Sequence, residues 1–145
     1  MEPMTLESLI KVLQASISPV ALISGVGLLL LSLTNRFGRV TDRLRELVGE
    51  RRAGHANAGT AKQIEIFHRR ARIVRSAISA SVGCMFMASL MVLLLFGMAL
   101  FHFPAHLIVL MFFAISICFL VTSLTFFLLD MRLSLDAIEE DLVSK

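Results

Sequence analysis

Most residues of this chain that could bind another molecule are arginines in one segment. Residues 34–76 hold 11 of the 14 lysines and arginines. The candidate interface for lipid or a partner protein consists of eight charged residues in two clusters: Arg36, Arg39, Asp42, Arg43, Arg45, Arg69, Arg70 and Arg72. Near a bilayer, each basic residue is attracted to anionic head groups by ~1 kcal/mol. We therefore expect anionic lipid head groups as one partner of this segment.

Two other interpretations of these charges stay open. A local ion-pair network is the simplest, because Arg39 and Asp42 are one helical turn apart. A site for a free anion or a nucleotide is the other, but the arginines have no glycine-rich phosphate loop beside them. We expect no nucleic-acid partner.

The remaining reactive side chains do not form a catalytic or metal-binding pattern. His102 and His106 have the spacing of a helical metal chelate, but Pro104 lies between them and no carboxylate or thiol is near. Cys84 and Cys118 belong at different depths of their spans, which argues against a disulfide. No metalloprotease motif and no nucleophile with a nearby histidine occurs. We expect no enzyme activity, no cofactor and no metal site.

Small and polar residues form a stripe on one face of the first apolar segment. They recur at helical spacing: Ser18, Ala21, Gly25, Ser32 and Asn35. In lipid, small residues at such spacing let helix backbones approach closely. The stripe has three interpretations: packing against the other spans of the same chain, a symmetric subunit interface, or the wall of a pore in a ring of subunits. In the pore, Asn35 and Arg36 would lie at the inner mouth.

The distribution of charged residues along the chain predicts the helices that carry these side chains. Of the 145 residues, 57% are apolar and 17% charged, whereas a soluble domain averages about 45–50% and about 25%. Two long stretches, residues 12–35 and 76–129, carry no Asp, Glu, Lys or Arg. A span needs about 18 or more apolar residues, so the second stretch holds two. The sequence predicts one domain, residues 1–145, with three transmembrane helices.

Proline residues suggest where the spans begin and end. Ser18 and Pro19 are typical of a helix N-terminus, and a turn around Pro104 divides the longer stretch. We predict spans at 19–35, 78–101 and 107–129. Before the first span, apolar residues at helical spacing predict an interfacial amphipathic helix over 5–17. The alternative is one kinked helix from Leu6 onward.

Basic residues between the spans predict the orientation. The turn at 101–106 holds no lysine or arginine, whereas segment 34–76 is rich in both. The positive-inside rule then places 34–76 and the C-terminus in the cytoplasm and the N-terminus outside. We expect an inner (cytoplasmic) membrane.

Apolar residues beyond the spans recur at steps of three and four, as in helices packed side by side. The first two seams are Phe37, Val40, Leu44 and Leu47, and Ile64, Phe67, Ala71, Val74 and Ile78. The third is Leu128, Met131, Leu135, Ile138 and Leu142. We therefore predict a basic helical hairpin over 36–77 and an amphipathic helix over 130–143. The fold class is all-α: three transmembrane helices that extend into a cytoplasmic helical bundle, with the interfacial helix at the N-terminus.

Three stretches of the chain carry a resemblance to a known family. They are the segment from Ile17 to Arg36, the sequence Arg39-Val-Thr-Asp-Arg-Leu-Arg-Glu-Leu47, and the sequence Arg69-Arg-Ala-Arg-Ile-Val-Arg75. Together they resemble a family of short bacterial membrane proteins catalogued as domain of unknown function twenty-seven twenty-one. The similarity covers nearly the whole chain. It implies a three-pass bacterial membrane protein and no particular activity.

These patterns favour a self-associating, non-enzymatic membrane protein. No Asp, Glu, Lys or Arg lies inside a predicted span, which argues against a proton-coupled transporter or a voltage sensor. Our first hypothesis is a homo-oligomeric pore or channel lined by the first span. The alternative is a membrane-anchored scaffold or regulatory subunit whose basic hairpin binds a partner protein or anionic lipid.

Overall fold

The computed structural model describes residues 6–54, 58–101, 104 and 106–143, and nearly all of them are helical. The helices are α1 (Leu6–Arg52), α2 (Ala58–Phe101) and α3 (His106–Val143). After α1 the chain turns at residues 53–54, where Gly54 has a φ of 76°, a left-handed conformation that costs glycine little. The described ranges contain no strand. The all-α prediction is confirmed.

Each helix is long and apolar enough to cross a membrane. The candidate spans are Ile10–Arg52, Gly59–Phe101 and His106–Ser134. Large apolar side chains point outward: Leu28, Leu93 and Leu107 are each about 70% exposed (73%, 68% and 71%). An apolar surface of this extent marks contact with lipid or with other proteins. The chain therefore has the surface of a three-span membrane protein, as predicted.

The predicted break before Pro19 is wrong, because α1 runs without interruption from Leu6 to Arg52 with Pro19 inside it. The segment predicted as a separate interfacial helix is the first part of the same helix, which was the alternative. Proline is tolerated inside membrane helices, since hydroxyl side chains and small local adjustments compensate for the missing N–H. Pro19 is fully buried, and nearby the Ser16 hydroxyl donates a hydrogen bond to the Val12 carbonyl at 2.8 Å.

The chain forms two compact units, each with a stretch of all three helices. Unit 1 contains residues 1–30 and 80–121, and unit 2 contains residues 31–79 and 122–145. The predicted second and third spans lie within α2 and α3, and the turn at residues 53–54 lies within the segment predicted as a hairpin.

Unit 1 is packed from small residues. On α2 the buried side chains are those of Ala80, Ser81, Cys84, Ala88 and Met91, of which only Met91 is large. The closest approach is at Gly83, where an added Cβ would lie 3.1 Å from the ring carbons of Phe119. Helices in lipid associate through such close contacts, because burying large apolar groups gains little there. Gly83 is thus a position where a side chain would force the Phe119 ring to move.

Unit 2 confirms the predicted seams of α1 and α2. Val40, Leu47 and Val74 are buried, as the seams require. A polar contact joins the helices as well, since the buried Ser123 hydroxyl donates a 2.9 Å hydrogen bond to the Ala77 carbonyl.

The predicted seam of α3 is wrong at the two positions whose burial the structure describes. Leu128 and Met131 are exposed by 59% and 39%, whereas Ser123 and Asp130 are buried. For its other members, Leu135, Ile138 and Leu142, the structure describes the helix but not the side chains. In lipid, apolar side chains are as stable facing outward as inward, so an apolar period does not by itself identify the packed face.

Candidate functional site

Asp130 is the only charged residue among the buried side chains of the described ranges, with 1% exposure. Arg36 Nη1 donates a hydrogen bond to Asp130 Oδ2 at 3.1 Å, and Arg70 Nε donates one to Oδ1 at 3.3 Å. The three residues come from α1, α2 and α3, and all belong to unit 2. One carboxylate therefore connects the three helices of this unit.

The arginines of this triad are held by aromatic rings as well as by the carboxylate. The guanidinium carbon of Arg36 lies 5.1 Å from the centroid of the Phe127 ring, and that of Arg70 lies 5.7 Å from the Phe67 ring. Both distances are within the range of cation–π attraction. The rings leave each guanidinium little freedom to turn away from Asp130.

Helical spacing explains why these side chains meet. Phe67 precedes Arg70 by three residues, and Phe127 precedes Asp130 by three, so each pair shares one face of its helix. Arg36 lies between the buried Leu33 and Val40 of α1, which turns its side chain toward the packed face. Its side chain is only 26% exposed, and that of Arg70 only 15%.

A cavity of about 230 Å³ opens beside the Asp130 carboxylate in unit 2. Its lining contains three guanidinium groups, one carboxylate, one hydroxyl and two apolar side chains: Arg36, Arg39, Arg70, Asp130, Ser134, Val40 and Phe67. Positive charge exceeds negative charge by two in this lining. The cavity thus suits an anion better than a cation or an apolar molecule.

The structure divides the eight predicted charged residues into two groups. Arg36 and Arg70 converge on Asp130, and Arg39 lines the same cavity. The other five are exposed: Asp42, Arg43, Arg45, Arg69 and Arg72.

The interpretation as a local ion-pair network is right in part. Arg43 pairs with Glu46, and Arg45 Nη1 lies 3.7 Å from Asp42 Oδ1. An Arg39–Asp42 pair, which the spacing suggested, is not among the ion pairs of the described residues.

The small-residue stripe of α1 faces outward. Its five members are all exposed: Ser18, Ala21, Gly25, Ser32 and Asn35. Over the length of the stripe, the buried residues of the same helix are Pro19, Val26 and Leu33, which lie on a neighbouring face. No heavy atom lies within 4 Å of a Cβ built on Gly25. The structure does not place this stripe against the other helices of the chain, and the two intermolecular interpretations stay predictions.

Neither a metal-binding cluster nor a disulfide occurs among the candidate residues that the structure describes. Within the described ranges no group of three or more His, Cys, Asp or Glu side chains could hold a metal ion. His102, one half of the histidine pair, lies outside those ranges. Cys84 is buried, Cys118 is exposed, and both are thiols.

The burial of Asp130 was not predicted from the sequence, although the spacing of polar residues on α3 indicates it. Ser116, Ser123 and Asp130 recur every seven residues in a stretch of α3 whose only other polar residues are Thr122 and Thr125, and all three are buried, whereas the two threonines are exposed. In a membrane helix, the period of the polar residues marks the packed face more clearly than that of the apolar ones. Asp130 directly follows the predicted third span, where the sequence predicts the first residue of the amphipathic helix over 130–143.

We predict that Asp130→Asn destabilises the protein by about 3 kcal/mol, because removing one member of a buried ion pair leaves the other charges uncompensated. The measurement is unfolding in mixed micelles, followed by circular dichroism. Asp42→Asn is the matched control, since its carboxylate is 75% exposed and its removal has little effect. Equal stability of the two variants would show that the triad does not stabilise unit 2.

Comparison with known proteins gives a family but no activity. The family described as "Protein of unknown function (DUF2721)" matches residues 16–140. No curated protein and no solved structure matches the chain. The match covers the helices of both units and contains the three residues of the triad. This chain, with three helices able to span a membrane, therefore belongs to the DUF2721 family.

Proposed function

We propose that the protein is a non-enzymatic, self-associating protein of the bacterial inner membrane, whose subunits meet along the small-residue stripe of α1. The observation that supports this is the exposure of all five stripe residues in the single chain. Large apolar side chains suit lipid, whereas small and polar ones suit contact between helices. The stripe is thus a surface better matched to another helix than to lipid chains.

Two members of the stripe support a protein neighbour in particular. Gly25 has open space around it, so a second helix can approach its backbone closely. Asn35 exposes a carboxamide near the end of the first charge-free stretch. An amide at that depth gains from hydrogen bonds across an interface, and a second subunit supplies the donor and acceptor.

We predict that Gly25→Leu converts the oligomer to a monomer without unfolding the chain, because its side chain fills the space a neighbouring helix needs. The measurement is the mass of the detergent-solubilised protein by light scattering after gel filtration. The matched control is Gly97→Leu, a glycine of α2 that also has no heavy atom within 4 Å of its Cβ position. A monomeric wild type, or a Gly25→Leu variant that keeps the oligomer, would contradict the proposal.

The finer form of the proposal is a pore lined by α1. An uncharged face with hydroxyl groups and an amide is a surface that water can wet. Arg36 is not part of that face, because Asp130 and Phe127 hold its guanidinium on the packed side. The inner mouth of the pore is then formed by Asn35 without Arg36, unlike the mouth expected from the sequence.

We predict that liposomes containing the protein conduct ions and that Ser32→Trp abolishes the flux, because an indole fills a narrow lumen. Flux is measured by dye release or single-channel recording, with the oligomer mass checked for the same samples. Val20→Trp is the control, since Val20 is exposed on α1 but is not three or four residues from any member of the stripe and so lies on a different face. If the oligomer is silent, or if Ser32→Trp conducts like the wild type, α1 does not line a pore.

A second candidate function is a membrane-anchored scaffold or regulatory subunit. The observation that favours it is a set of exposed arginines on the hairpin of unit 2, outside the cavity: Arg43, Arg45, Arg69 and Arg72. With the hairpin in the cytoplasm, as the positive-inside rule indicates, these side chains would bind anionic lipid or an acidic partner protein.

For this candidate we predict that replacing the four exposed arginines with glutamine removes most of the enrichment of phosphatidylglycerol around the protein, because each exposed arginine attracts anionic head groups by ~1 kcal/mol. The measurement is lipid analysis of nanodiscs made from mixed phosphatidylglycerol and phosphatidylcholine. The control is Lys11→Gln, an exposed basic residue of unit 1. Unchanged enrichment would remove the hairpin as a lipid-binding surface.

A further inference from the structure

We propose that the cavity beside Asp130 in unit 2 binds a single phosphate group, from a phospholipid head group or from free phosphate. The proposal goes beyond self-association and does not depend on it. It also differs from diffuse attraction by the exposed arginines, because it concerns one cavity with its own set of side chains.

The charge inside the cavity is the first argument. Arg36 and Arg70 face one carboxylate between them, and Arg39 adds a third guanidinium. The side chains of Arg36 and Arg70 are 26% and 15% exposed, so water compensates only part of the excess positive charge. Buried charges are stable in proteins when they are paired, and one carboxylate cannot neutralise the two half-buried guanidinium groups. The exposed Arg39 adds a third cation to the lining. An anion in the cavity would complete the pairing.

The donors that remain on the arginines are the second argument. Arg36 uses Nη1 and Arg70 uses Nε for Asp130, whereas a guanidinium has five N–H groups in a fork that fits phosphate oxygens. Among the described residues, Arg39 has no ion-pair partner. Ser134 adds a hydroxyl that can donate to a phosphate oxygen. The lining therefore contains several donors besides the two that bond to Asp130.

Size and preorganisation are the third argument. The volume of about 230 Å³ is far above the ~10–15 Å³ that one water molecule needs, so a group of several heavy atoms fits. The Phe127 and Phe67 rings hold the Arg36 and Arg70 guanidinium groups in place before any anion arrives. Binding then requires little ordering of side chains, which favours affinity.

The position of the cavity along the helices explains why a lipid is one possible source. Arg36 and Asp130 are the first charged residues after the charge-free stretches 12–35 and 76–129. Charge returns to a membrane helix at the depth of the head groups, where lipid phosphates lie. Free phosphate in the adjoining solution reaches the same depth. Both sources carry the same phosphate group, so the experiment must distinguish the lipid from the free anion.

The test uses the full chain in a neutral detergent with two probes. Native mass spectrometry counts bound phosphatidylglycerol, with phosphatidylcholine as the zwitterionic comparison. Thermal unfolding in inorganic phosphate, against chloride at equal ionic strength, reports free phosphate, because a ligand of the folded state raises the midpoint. Binding of one equivalent in either arm supports the proposal and identifies the source. No binding in both arms overturns it.

Two variants show whether binding occurs in this cavity. We expect Arg39→Gln to weaken affinity by about tenfold or more through the loss of a charge-assisted hydrogen bond, with the Arg36–Asp130–Arg70 triad intact. Arg69→Gln, which changes an exposed arginine outside the cavity, leaves affinity unchanged. Equal losses in both variants would show diffuse surface attraction and overturn the proposal.

A third variant places a carboxylate in the cavity. In Ser134→Asp the new carboxylate competes for the same donors, so we expect the response to phosphate or lipid to disappear. A Ser134→Asp protein that binds either probe like the wild type would place the binding site elsewhere. The oligomer mass is recorded in the same samples, so failure of the phosphate site is distinguishable from failure of self-association.

Discussion

The pairing of Asp130 with Arg36 and Arg70 is the constraint on which the arrangement of unit 2 depends. A carboxylate that is 1% exposed is stable only with its charge compensated, and each of its oxygens receives one guanidinium hydrogen bond. The two donors come from different helices, so α3 cannot rotate or slide within unit 2 without leaving a buried charge unpaired. The pairing therefore fixes the register of helices whose apolar surfaces would permit several.

This constraint matters because apolar packing is weakly directional in such a chain. Large side chains such as Leu28 and Leu93 face outward, and many of the buried positions, such as Ala77 and Ala88, hold small residues. Between membrane helices, close backbone approach and a few polar contacts supply the specificity that a soluble core obtains from its hydrophobic residues. Gly83 against Phe119 in unit 1, and Ser123 against the Ala77 carbonyl in unit 2, are contacts of this kind.

The same physics explains what the sequence could and could not predict. Charge is costly inside lipid, so the charge-free stretches correctly indicated three spans. The seams around Val40 and Val74 were also right. The α3 seam was wrong because Leu128 and Met131 can face lipid, and the break at Pro19 was wrong because a membrane helix can contain proline. Asp130 was missed because residue type alone does not tell a solvated carboxylate from a buried one.

Two faces of α1 have different surroundings: one is packed and the other is exposed. Leu33, Arg36 and Val40 pack within unit 2, whereas Ser32 and Asn35, one residue away from these positions, are exposed. Consecutive residues of a helix point about 100° apart, so a substitution on the exposed face need not disturb the packed one. The proposed self-association and the proposed phosphate binding would therefore use different side chains of one helix. Each can be removed by mutation while the other is measured, and a coupling between them would have to pass through the α1 backbone or the Arg36–Asp130 pair.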